Sequence, residues 1–207
     1  HNGGSSHAIW DQVATRLAGK YEIFALDLLG FGDSAKPGGG YTLDNYVAML
    51  EEFVSSRGLE KVALVGNCMG CAISLAFTDR HPDRVRALVL CNPLTESTFL
   101  ACWLGPLVWL REGTPAAHRA ASRMLGRLEV TDGPGSVATA FQLGPRGRAR
   151  KVHRSPEIYG PYAATGQLES LLGVLDDLEN YAGIDDLAPQ AGFPPICTIW
   201  GLKNKIV

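Results

Sequence analysis

The feature that most constrains this chain is the run Val62-Ala63-Leu64-Val65-Gly66-Asn67-Cys68-Met69-Gly70, an apolar β-rich stretch that enters a glycine-bracketed turn and leaves it as a helix. A strand that meets a helix across so short a turn forces the two backbones together. The flanking positions must then be small, and Gly66 and Gly70 supply that. Cys68 stands at the apex, at the N-terminus of the following helix. The helix macrodipole favours a thiolate there, and the Met69 N–H points where an oxyanion would form. The other reading of Cys68 is a small core hydrophobe in an ordinary strand-to-helix turn, because free cysteine is among the most buried residue types.

The rest of the chain alternates in the same way. Residues 11–17 suit a short helix, and residues 21–26 read as a strand ending at Asp27. Residues 42–57 place Tyr46, Met49, Leu50, Phe53 and Val54 at helical spacing, with Gly58 as the stop. Residues 61–65 form the next strand. Past the Cys68 turn, residues 69–80 read as an apolar helix closed by His81-Pro82, and residues 85–91 as a buried strand. Residues 196–200 are a further β-rich run. This is the pattern of an α/β fold, a mainly parallel sheet flanked by helices.

Between the last two strands lie about a hundred residues, too many for a bare loop. Residues 99–111, 116–128 and 168–178 carry helical periodicity, so the expected organisation is a core over 1–93, a mostly helical cap or lid over 94–195, and a returning core strand with its loop over 196–207. The first cap segment presents Trp103 and Trp109 among leucines, as cap-to-core packing or as the wall of a site for an apolar or acyl substrate. Arg146, Arg148, Arg150, Lys151 and Arg154 form a local basic cluster, read as a solvated loop or as the dock of a phosphate-bearing acyl carrier such as a coenzyme A thioester.

Several landmarks resemble the α/β-hydrolase family. His1-Asn2-Gly3-Gly4 is similar to its HG-type oxyanion loop, with Asn2 in place of the usual glycine. Asp27-Leu28-Leu29-Gly30-Phe31-Gly32-Asp33-Ser34 resembles its D-x-x-G-x-G-x-S turn, and the likeness continues through the elbow, His81-Pro82-Asp83-Arg84-Val85 and Ile199-Trp200-Gly201. The resemblance implies the α/β-hydrolase fold, a covalent mechanism on Cys68, and an oxyanion hole made by the Gly3 and Met69 N–H groups. It implies no cofactor and no metal.

Two positions depart from the family pattern. Cysteine stands where serine or aspartate is usual, and Asn204 stands in the Gly201-Leu202-Lys203-Asn204 loop where the triad acid is expected. An asparagine cannot offset an imidazolium charge, yet it can accept a hydrogen bond and orient a histidine, and cysteine needs less help than serine. Cys68 and Asn204 are therefore compatible. Glu96 is the alternative acid, and its other reading is a solvated loop residue. The resemblance places the general base on a histidine after a further strand, beyond residue 207. His1 belongs to the oxyanion loop, His7 precedes the first helix, His81 suits a helix C-terminal region, and His118 and His153 fall in the cap.

With 207 residues and a net charge of −2, the chain fits one domain and gives no global reason to expect nucleic acid as a partner. Cys68, Cys71, Cys91, Cys102 and Cys197 lack metal-ligand spacing and read as reduced thiols of a cytoplasmic protein. No transmembrane helix is expected, and the chain reads as a piece cut at both ends. The expected activity is hydrolysis of an ester, thioester, lactone or activated carbon–carbon bond. Acyl transfer from the same intermediate is one alternative. A ligand-binding homologue without catalysis is another.

Overall fold

The computed structural model describes residues 1–101, 151–164 and 166–201, with isolated positions (113, 114, 116, 117, 120, 124 and 149) between them. Two compact units emerge: His1–Gly39 with Ala116–Leu172, and Gly40–Pro115 with Gly173–Val207.

In the first unit Ser6 caps a 3-10 turn, His7–Trp10, which leads into α1 (Asp11–Leu17), as the sequence predicts. Residues 21–26, predicted as a strand, form none among the described residues, and Tyr21 is 64% exposed. A β-rich composition makes a strand only where a neighbouring backbone supplies the ladder.

The turn that follows is built on the Asp27 carboxylate. It accepts the His7 backbone N–H at 2.6 Å, the His7 Nδ1–H at 3.0 Å and the Asp33 N–H at 2.9 Å, while Ser34 Oγ donates to the Asp27 carbonyl at 2.7 Å. Gly32, at φ +53°, lies so close that a Cβ there would sit 2.2 Å from the Asp27 carboxyl carbon. Here the two glycines and the serine of the D-x-x-G-x-G-x-S pattern have a physical reason. They fold the chain around one carboxylate.

In the second unit Thr42 caps α2 (Leu43–Ser56), accepting the Asn45 N–H, while Asp177 Oδ2 accepts the orphan Leu43 N–H at 2.7 Å. Then come β1 (Val62–Asn67), α3 (Met69–Arg80), a 3-10 turn at Pro82–Arg84, and β2 (Val85–Cys91). The bounds of α3 and β2 match the sequence reading. The described part of residues 94–195 is helical, with α4 (Glu96–Leu100), α5 (Pro156–Tyr159), α6 (Gln167–Asp176), α7 (Ala182–Asp185) and 3-10 turns at Val152–Arg154, Gly160–Ala163 and Leu178–Tyr181. Of the helix expected over 99–111, Phe99 and Leu100 form the end of α4, whose C-cap is Ala101, and residues 102–111 lie outside the described residues. So do most of residues 116–128 and, apart from Lys151 and Arg154, the basic cluster.

β3 (Ile196–Ile199) closes a parallel sheet in the order β1-β2-β3, with Val65 opposite Val89 and Val89 opposite Cys197. The core of this unit is α3, buried from Met69 through Thr78 with a break only at Leu75, and packed on β1, β2 and α2. Tyr46 and Val47 of α2 are fully buried. At the far end of α3, Arg80 pairs with Asp44, and His81 meets Glu51 at 2.6 Å. The C-terminal role read for His81 from sequence is what the structure shows.

The His7–Asp27 pair gives the first unit a pH dependence of known sign. The hydrogen bond to Asp27 raises the His7 pKa despite some burial, so its contribution is whole below about 6.5 and fades as pH rises through the folded value. Burial pushes Asp27 up, but the Asp33 and His7 N–H groups and the His7 imidazole more than offset it. Its lowered value means a contribution present above about 3.9 and lost on acidification. In denaturation at matched pH values, the stability gap between wild type and His7→Gln should narrow as pH is raised above about 6.5. A gap that widens there would contradict the pairing.

Candidate active site

β1 delivers the chain to Cys68 and α3 carries it away, and the crossing is as tight as the glycine spacing requires. A Cβ on Gly66 would lie 2.5 Å from the Gly70 carbonyl oxygen and 2.6 Å from the Cys71 nitrogen. Cys68 itself sits at φ 55°, ψ −114°, a left-handed conformation that costs a residue bearing a Cβ about 1–3 kcal/mol.

Three hydrogen bonds hold it there. Its N–H donates to the Cys91 carbonyl at 3.0 Å, and its own carbonyl accepts the Cys71 N–H at 2.9 Å and the Leu94 N–H at 3.2 Å. The end of β2 and the loop after it thus clamp the elbow. The thiol is half-buried rather than sealed in the core, unlike Cys71, which is fully buried. The Met69 N–H opens α3, one of the amides that a helix start leaves without an intrahelical acceptor.

The chain leaving β3 is held at Ile199 and Gly201 by Asn92, a residue the sequence reading did not single out. Asn92, at φ 48°, donates its N–H to the Ile199 carbonyl at 2.9 Å, and its Oδ1 accepts the Gly201 N–H at 2.8 Å. Its place at the C-terminal end of a parallel strand, where α/β folds build their sites, was the available signal.

The loop after β2 is fixed as well. Thr95 and Thr98 form a capping box on α4, and Asp185 accepts the Ser97 N–H at 3.0 Å and its hydroxyl at 2.5 Å. Burial pushes the Asp185 carboxyl up, but those hydrogen bonds leave it lowered on balance. Glu96, the alternative acid, lies in the first turn of α4.

A second residue missed from sequence is Tyr181. Its ring is fully buried, its hydroxyl has no hydrogen-bond partner among the described residues, and burial raises its pKa well above the ordinary value, with Tyr46, Asp177 and Cys68 adding to the rise.

Of the other predicted site residues, Gly3 belongs to the first unit, where Ser5 N–H donates to Asn2 O at 3.2 Å and a Cβ on Gly3 would meet Leu171 at 3.1 Å. His1 in that loop is buried and neutral: Nδ1–H donates to the Asn2 carbonyl at 2.8 Å, and Nε2 accepts the Leu28 N–H at 2.9 Å. Asn204, Trp103 and Trp109 lie outside the described residues. Within the unit that holds Cys68, the described histidine is His81, separated from the elbow by the whole of α3, about 18 Å at 1.5 Å per residue. It does not serve Cys68 as a base.

Two substitutions measure what the elbow and the tyrosine cost. Cys68→Gly and Cys68→Ala both remove the thiol and differ in the Cβ, so the glycine variant should be more stable by about 1 kcal/mol, reversing the usual order. Equal stabilities in urea denaturation would deny the strain. Tyr181→Phe should hold or raise stability, by up to about 1 kcal/mol, because it deletes an unmet buried hydroxyl while keeping the ring.

Comparisons with known proteins bear on the family and the fold. The chain is 40% identical over 94 residues to the 2-hydroxy-6-oxo-6-(2'-aminophenyl)hexa-2,4-dienoic acid hydrolase of Metapseudomonas resinovorans, covering 44% of this chain and 32% of that protein. It is 35% identical over 97 residues to a haloalkane dehalogenase of Agrobacterium fabrum, covering 47% and 32% respectively. The aligned part amounts to about a third of each of these relatives. A thermophilic esterase from Thermogutta terrifontis superposes with a TM-score of 0.72 at 20% identity, over 98% of this chain and 69% of that one, which speaks to the fold. The family profile described as alpha/beta hydrolase fold matches residues 1–206, and the chain belongs to that family.

Proposed function

We propose that this chain is the catalytic core of a hydrolase that opens an ester, thioester, lactone or activated carbon–carbon bond through a covalent intermediate on Cys68. The observation that carries the reading is the elbow itself. A cysteine is held at φ 55°, clamped by Cys91 and Leu94, at the start of a twelve-residue helix. In this reading the Cys68 sulfur attacks the carbonyl carbon, and the Met69 N–H receives the oxyanion that develops. Collapse of the tetrahedral species expels the leaving group and leaves an acyl thioester, which water then cleaves.

As to substrate, a 2-hydroxy-6-oxo dienoic acid has support from the relative of Metapseudomonas resinovorans that is named for one. Residues 94–195 are assigned as the cap, and Trp103 and Trp109 are assigned as substrate-binding residues. Asn204 is assigned to orient a histidine base. Asn204 also favours a second reading, a binding protein that keeps the pocket after losing the acid.

The test is a burst experiment on the protein in its natural full-length frame, with nitrophenyl esters and a 2-hydroxy-6-oxo dienoate as substrates. Cys68→Ala should cut turnover at least about a thousandfold, and quenched wild type should carry the acyl mass on the peptide containing Cys68. Turnover that survives the substitution removes Cys68 from the mechanism. Binding that persists in wild type without turnover favours the second reading, and products diverted to an added alcohol or amine identify acyl transfer.

A further inference from the structure

The proposed reaction makes no use of Cys71, yet the structure sets it against the same elbow. The Cys71 N–H donates to the Cys68 carbonyl at 2.9 Å, closing a four-residue turn. Residues three apart on a helical turn are neighbours, with Cβ atoms about 5–6 Å from one another, a small shift from the separation a disulfide spans. The Cys71 Sγ–H donates to the Cys91 carbonyl at 3.3 Å, and that carbonyl also accepts the Cys68 N–H at 3.0 Å. Both cysteines therefore converge on one oxygen, and the Cys71 sulfur lies beside the Cys68 backbone. Their accessibility differs. Cys68 is half-buried and Cys71 is fully buried, so a small oxidant reaches the first and not the second.

We propose that Cys68 and Cys71 form a peroxide-oxidised dithiol, in which Cys68 takes the oxidant and Cys71 closes a disulfide onto it. The Cys68 sulfur attacks one peroxide oxygen, the O–O bond breaks, and the sulfur becomes a sulfenic acid while hydroxide or an alkoxide leaves and takes a proton from solvent. The Cys71 sulfur then attacks Cys68 Sγ. The S–S bond forms, the S–O bond breaks, and the departing hydroxide carries off the Cys71 proton as water. Two thiols thus supply two electrons to one peroxide.

Burial, followed by the charge of Cys68, pushes the Cys71 thiol up to about 12, which keeps it protonated while Cys68 is reduced. A neutral sulfenic acid removes the second of those causes at the step where Cys71 must react. The disulfide caps Cys68, spares it from irreversible oxidation and is opened again by a dithiol.

The experiment does not require turnover, so it can fail or succeed apart from the proposed hydrolase activity. Full-length protein is treated with one equivalent of hydrogen peroxide, alkylated under denaturing conditions and digested with trypsin, which leaves Cys68 and Cys71 together on the peptide of residues 62–80. That peptide should be lighter by two hydrogens, unalkylated at both cysteines and restored by dithiothreitol. In Cys71→Ser, whose hydroxyl can still donate to the Cys91 carbonyl, dimedone labelling of Cys68 should rise about tenfold. Wild-type peptide with a sulfinic acid or dimedone on Cys68 and an alkylated Cys71 would overturn the proposal. A bridge from Cys68 to Cys91 or Cys197 would overturn it too, and the wild-type masses decide even if the variant fails to fold.

Discussion

The contact between Gly66 on β1 and the Gly70–Cys71 peptide of α3 sets the terms for the second unit. A side chain at Gly66 would stand 2.5 Å from the Gly70 carbonyl oxygen, so the strand and helix meet backbone to backbone. That approach leaves a single residue to reverse the chain direction, and Cys68 does so at φ 55°. The conformation persists because its neighbours over-determine it. Cys91 at the end of β2 holds the amide, Leu94 beyond it holds the carbonyl, and Cys71 closes the turn from the helix side. The parallel pairing of β1 with β2 is thus a precondition for the site, since it brings the Cys91 carbonyl level with Cys68.

The same strand ends organise the rest of the site's framework. Asn92 follows Cys91 and holds Gly201, so the loop leaving β3 is anchored one residue from the carbonyl that anchors the elbow. Asp185 of α7 holds Ser97 at the start of α4, and Asp177 holds the start of α2. In each instance a carboxylate or amide side chain meets backbone N–H groups that a helix or strand end leaves over. The first unit uses the same chemistry by itself: Asp27 gathers the N–H groups of His7 and Asp33 and fixes a turn that composition alone would leave loose.

How far the sequence could be read follows from how local each signal is. The bounds of α3 and β2 were legible because Gly70, His81-Pro82 and the apolar run of residues 87–91 mark them within a few residues. The Cys68 turn was legible for the same reason. Residues 21–26 were misread because strand formation depends on a partner elsewhere, and residues rich in β-formers carry no information about whether one is present. Asn92, Asp177 and Asp185 were not legible, since each acts across a large sequence separation on a backbone amide, and any polar residue looks alike until the fold aligns it. Tyr181 escaped because its distinction is an unmet hydroxyl in a sealed environment, a property of packing with no trace in composition.

The elbow bears on why a cysteine stands there at all. Glycine is the residue that relaxes a left-handed position, and asparagine the next, as at Asn92 with φ 48°. At ψ −114° the Cys68 turn lies outside the well that asparagine tolerates, so had it served only to connect β1 to α3, glycine would have met the need without strain. A side chain with a Cβ at this point is a cost that stability does not explain, and the residue is half-buried at a helix start rather than packed away like Cys71. Strain of that kind, kept by three hydrogen bonds, points from the backbone toward chemistry at the thiol.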